Sequence, residues 1–66
     1  MDKRSQLKVV REGFIIIRKT DTPNIRITYI DCKQHEWATL GGNFETKASR
    51  DRAFEKMLEQ PQVISD

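Results

Sequence analysis

The spacing of apolar residues changes along the chain, and each change marks an element. In "GFIIIRKT", residues 13–20, three consecutive isoleucines stand between Gly13 and the segment "TDTPN". β-branched residues bounded by turn formers predict a strand. Both alternating sets from Phe14 to Ile17 are apolar, so the pattern does not select which set is buried. "TDTPN" predicts a loop, because Pro23 lacks a backbone donor and Asn24 tolerates turn geometry. "IRITYID" alternates: Ile25, Ile27 and Tyr29 share one face, and Arg26, Thr28 and Ile30 the other. "CKQ" predicts a turn. "HEWATLG" predicts a third strand, with Ala38 and Leu40 on one face and His35, Trp37 and Thr39 on the opposite one. Connections this short predict an antiparallel meander.

Gly41 and Gly42 close the third strand, since glycine adopts backbone angles that other residues avoid. Thr46 is the expected helix N-cap, with Ser49 competing. Ala53, Phe54, Met57 and Leu58 then follow helical spacing up to Glu59, and Pro61 marks the stop. The fold expected is α+β: a three-stranded antiparallel sheet with one C-terminal helix packed on one face. Its core would hold Ile25, Ile27, Tyr29, Ala38, Leu40, Phe44, Phe54, Met57 and Leu58, with Phe44 under the helix start near Phe54 or Leu58. Residues 1–7 are polar and expected to fray, "LKVVREG" reads as a lead-in strand or extended arm, and "QVISD" as a loose tail. The chain of 66 residues is expected to be a single domain with an ordered core over residues 8–60.

A chain this short buries a modest fraction of its surface and has little room for a deep pocket. The net charge of +2 says less than its distribution. Residues 1–33 carry eight Lys and Arg against four acids, whereas residues 34–66 carry four against six. A basic half joined to a mildly acidic one predicts a polarised surface. One cysteine excludes an intrachain disulfide and fits a reducing compartment. No apolar run reaches the length of a membrane span, and the start lacks the apolar centre of a signal peptide. The expected location is cytoplasmic.

"DCKQHE" brings Asp31, Cys32, His35 and Glu36 together, and Cys-x-x-His has the spacing of half a metal site. A structural zinc site needs four ligands, and the chain has one Cys and one His, so a polar hairpin turn is the better reading and no metal or cofactor is expected. Cys32 with His35 as nucleophile and base lacks an orienting third group. Asp51 and Glu55, with Arg52 and Lys56 interleaved, read as a solvated helix face. An enzyme is not expected. The remaining constellation is the sheet face away from the helix: Arg26, Thr28, Ile30, His35, Trp37 and Thr39, joined by either Arg18 or Lys19 from the first strand and by Lys33 at the turn. Arginines around an exposed tryptophan suit nucleic acid, because guanidinium groups bridge phosphates and an indole offers apolar contact to bases. Two alternatives stay open. Trp37 covers a small apolar patch with Ile30 and one of the first-strand isoleucines, or the patch is a protein interface.

The run W-x-x-L-G-x-x-F-x-T from Trp37 to Thr46, followed by a helix containing Ala53-Phe54, resembles the ethylene-response-factor class of plant DNA-binding domains. The three-strand-plus-helix plan is similar to that of the arm-binding domains of phage and transposon integrases. The resemblance implies a sheet that enters the major groove of duplex DNA through its helix-free face. It gives Leu40, Gly41 and Phe44 structural roles and starts the helix at Thr46. The first strand here is Ile-rich where that of the plant class is Arg-rich, a composition that also suits burial by a partner. The leading expectation is a small nucleic-acid-binding module for duplex DNA, with Arg18, Arg26 and Lys33 on phosphates and Trp37 and Thr39 near base edges, acting as a dimer or beside a second domain. The competing expectation is a protein-interaction or regulatory module of a phage or mobile element, docking through the Ile/Trp face or a strand edge.

Overall fold

The computed structural model describes every residue except Met1, Pro23, Gln34, His35 and Asn43. In chain order the elements are α1 (Lys3–Arg11), β1 (Ile15–Thr20), β2 (Arg26–Ile30), β3 (Ala38–Gly41), α2 (Lys47–Met57) and β4 (Val63–Ser65).

Local chemistry sets both ends of α1. The Asp2 side chain accepts a hydrogen bond from the Ser5 amide at 2.8 Å and caps the first turn. At the other end Gly13 takes φ +99°, a conformation that side chains disfavour. The Gly13 amide donates to the Val10 carbonyl at 3.1 Å and the Phe14 amide to the Val9 carbonyl at 3.4 Å. This paired closure is a Schellman motif, which satisfies the last carbonyls of a helix. In α2 the Thr46 hydroxyl caps as expected, accepting from the Ser49 amide at 3.1 Å.

The sheet has four strands in the order β3-β2-β1-β4. β1 pairs antiparallel with β2, placing Ile16 opposite Ile30, Arg18 opposite Thr28 and Thr20 opposite Arg26. β2 pairs antiparallel with β3, with a register irregularity at Ile27/Thr28. β4 lies parallel to β1, with Ile16 opposite Ile64. α2 therefore carries the chain from the β3 edge of the sheet to the β4 edge.

Each face of the sheet has its own helix. Ile17, Ile27 and Phe54 form the buried centre on the α2 side, joined by Ile15, Tyr29, Phe44, Ala53, Met57, Leu58 and Val63. Val10, Ile16 and Ile30 form the centre on the α1 side, joined by Val9, Trp37 and Ile64. This settles the ambiguity of the isoleucine run. Ile16 and Ile17 point to opposite faces and are both fully buried, as in strands covered on two sides. Each such side chain contributes roughly 1.5–3 kcal/mol of burial.

The α+β class holds, and the finer expectation is corrected. The three-stranded antiparallel sheet with one helix is a four-stranded mixed sheet with two helices. Residues expected to fray or to form an extended arm are α1, and the expected loose tail contains β4. The physical reason is that α1 buries only a narrow stripe around Val9 and Val10, so its sequence looks uniformly polar. Leu40, expected in the core, is 47% exposed. It stands on the edge strand β3, whereas α2 packs over β1 and β2. Of the other expected core residues, Ile27, Tyr29, Phe44, Phe54, Met57 and Leu58 lie in or beside the α2 layer, while Ile25 and Ala38 are half-buried and not part of that cluster. No helix among the described residues is long and apolar enough to cross a membrane.

Candidate nucleic-acid interface

The side chains proposed to contact a ligand come mostly from alternate positions of β1 and β2. Period-two alternation sends Arg18, Thr20, Arg26 and Thr28 to the face on which α1 packs. That face is not helix-free, which corrects the expectation. α1 and Trp37 cover the end marked by Ile16, Ile30 and Ile64. The other end, with Arg26 and Thr39, stays open.

Arg18 lies at the border between the covered and open ends. Its guanidinium carbon sits 4.0 Å from the centroid of the Trp37 ring, a cation–π stack. Its Nε and Nη2 donate to Asp66 Oδ2 at 2.8 and 2.6 Å. Gln6 Nε2 donates to Asp66 Oδ1 at 3.0 Å. Burial acts to raise the Asp66 pKa, but the hydrogen bonds from Arg18 and Gln6 outweigh it and hold the carboxyl below its ordinary value. These contacts tie α1, β1, Trp37 and the residue after β4 into one polar seam.

Arg26 lies farther into the open end. Its Nη1 donates to Thr39 Oγ1 at 2.7 Å and its Nη2 to the Thr22 carbonyl at 3.4 Å. Its buried Nε has no partner among the described residues. Thr28, expected as a contact, is 5% exposed and its hydroxyl lies 3.2 Å from that of Thr20, so it packs beneath the surface. Trp37 is half-buried just before β3 and packs on the Ile16–Ile30 layer, as in the apolar-patch alternative. Lys33 stands exposed in the β2–β3 turn, where its amide donates to Asp31 Oδ1 at 2.9 Å. His35 lies outside the described residues. The structure thus brings Arg18, Arg26, Trp37 and Thr39 to one face, puts Thr28 below it and leaves Lys33 at the turn.

The opposite side is organised differently. Arg50 of α2 is buried at 5% exposure and pairs with Asp21 and with Asp51, the latter at 3.0 Å. Its Nη1 also donates to the Thr20 carbonyl at 3.4 Å. Lys47 reaches Asp21 at 3.4 Å. The Arg50 hydrogen bond, helped by Lys47, holds the Asp21 carboxyl below its ordinary value. Asp51, read from sequence as part of a solvated face, is a partner of this buried arginine.

Reading residues 1–7 as frayed and "LKVVREG" as a lead-in strand or extended arm missed the helix that carries Lys3, Arg4, Lys8 and Arg11. The signal was present in the i, i+4, i+7 spacing of Arg4, Lys8 and Arg11, once a helix is granted. No group of three or more His, Cys, Asp or Glu among the described residues is placed to hold a metal ion. No family model, curated protein or solved structure matches the chain.

Proposed function

We propose that the chain is a nucleic-acid-binding module whose ligand is duplex DNA, bound on the α1 side of the sheet. The observation that carries the reading is the placement of Arg26 and Arg18. Both rise from rigid strands onto one face, Arg26 braced by Thr39 and Arg18 by the Trp37 ring. A guanidinium held by its own side-chain partner loses less freedom when it meets a phosphate. Arg26 retains donors for phosphate oxygens or a base edge. The test is fluorescence anisotropy of a labelled mixed-sequence duplex across a range of salt. Binding should weaken with salt by on the order of one log–log unit per phosphate contact. Salt-insensitive binding, or none at low salt, rejects the reading.

A protein partner is the second reading, favoured by a groove of about 640 Å³. Leu7, 45% exposed, lines it together with Val10, Ile30 and Trp37. An apolar floor flanked by Lys3 and Glu36 suits a peptide side chain better than a phosphate.

A further inference from the structure

We infer that the outer face of α1 is a second contact surface of this module and that it binds the phosphate backbone, through Arg4, Lys8 and Arg11. The inference rests on the nucleic-acid reading and names the element that supplies most of the charge. A helix turning about 100° per residue sets these three side chains within roughly 60° of one another. They point away from Val9 and Val10, which pack on the sheet. All three are exposed, and none has an ion-pair partner among the described residues. From Arg4 to Arg11 the helix rises about 10 Å, and one DNA strand presents a phosphate about every 3.4 Å of axis. The row therefore matches a run of several phosphates.

Helix stability does not explain the row. Cations suit the last turn, where Lys8 and Arg11 sit, but oppose the macrodipole in the first turn, which holds Lys3 and Arg4 and no acid. Arg4 weakens the helix and fits an external anion. A bilayer is a poor occupant, because an interfacial helix needs a free apolar face. Here Val9 and Val10 are spent on the sheet, and Leu7 is the one large apolar residue of α1 left exposed. α1 packs on the same sheet face from which Arg18 and Arg26 rise, so both sets of cations address one side of the molecule. Contacts from the outer face of α1 would be to phosphates, which position a protein on DNA without reading its sequence.

The experiment compares wild type, the triple variant Arg4→Gln/Lys8→Gln/Arg11→Gln and the single variant Arg26→Gln. The probes are labelled AT-rich and GC-rich duplexes across a salt series, and phosphatidylserine vesicles. Circular dichroism checks that the triple variant keeps its helix content. The triple variant should lose about tenfold or more in affinity at low salt, equally on both duplexes, with a log–log salt slope shallower by roughly two to three. If it binds both duplexes like wild type while Arg26→Gln weakens them, the α1 contact is wrong and the nucleic-acid reading stands. If wild type binds neither duplex, the reading and the inference fall together, and binding to vesicles alone would identify a lipid surface as the partner.

Discussion

On the α2 side of the sheet, Phe54 descends onto Ile17 and Ile27, and a buried arginine, Arg50, pairs with the acids beside it. Arg50, Asp21, Asp51 and Lys47 form a connected set that links the β1–β2 loop to the helix. On the α1 side the apolar layer is smaller, centred on Val10, Ile16 and Ile30. Its inner charges also pair, Arg18 with Asp66, but Arg4, Lys8 and Arg11 turn outward without partners among the described residues. The two helices carry the same number of cations, four each, yet only α2 adds acids, Asp51 and Glu55. Charge composition therefore says less than where each charge ends. Both helices expose cations without ion-pair partners among the described residues, Arg52 and Lys56 on α2 and Arg4, Lys8 and Arg11 on α1, but those of α2 stand among Asp51 and Glu55 whereas α1 carries no acid.

The largest test of that contrast removes the α2-side core. Phe54→Ala should cost about 3–5 kcal/mol, because its cavity lies beneath a helix and between two strands. Urea unfolding measures it, and a loss below about 1 kcal/mol would mean that α2 is not the main cover of the sheet. Trp37→Ala should cost less, about 2 kcal/mol, since the ring is half-buried on the smaller layer. It should also weaken duplex binding, because Arg18 loses the ring that orients it while its carboxylate competitor Asp66 stays in place. If it costs more than Phe54→Ala, the ranking of the two faces is reversed.

Acid titration sharpens the comparison. Asp21 on the α2 side and Asp66 on the α1 side both have folded pKa values below the ordinary one. A lowered carboxyl contributes stability that is fully present well above its unfolded pKa of about 3.9 and is lost as pH falls through the folded value. Thermal melts should therefore decline below about pH 4. Arg50→Met should lower the melting temperature at neutral pH and make that acid decline shallower, because Asp21 loses its main partner. An unchanged acid limb in the variant would show that the Arg50 pairing does not set Asp21. The smallest expected effect is on binding. Asp66→Asn releases Arg18 and should tighten duplex binding by a few-fold at low salt, on the order of one added phosphate contact. Asp21→Asn, on the other side, should leave binding unchanged. Equal effects from both would erase the distinction between the faces.

How far the sequence carried this picture depends on the width of each buried stripe. The alternation in residues 25–30 and the helical spacing of Ala53, Phe54, Met57 and Leu58 are wide, regular signals, and the structure places them as read. The corner was legible too: β3 ends at Gly41, and Phe44 beyond it packs on the α2 layer. α1 was missed because Val9 and Val10 alone give no visible period, although Asp2 three residues before Ser5 and Gly13 after Arg11 are the signals of its two caps. β4 was missed because three residues pairing parallel to a distant strand leave no local mark. Those two omissions made the α1 side look bare. For the site, alternation brought Arg18, Arg26, Trp37 and Thr39 to one face, but it could not show that Asp66 pairs with Arg18 or that Thr28 sinks below the surface.

The account turns on which side of the sheet meets DNA, and an amide-resolved NMR titration with an unlabelled mixed-sequence duplex at low salt reads that directly. The account predicts that Arg4, Lys8, Arg11, Arg18 and Arg26 and their neighbours shift together in one saturable transition, while Glu55, Lys56 and Glu59 at the outer face of α2 stay in place. Shifts centred on α2, or no shifts anywhere at low salt, would contradict it.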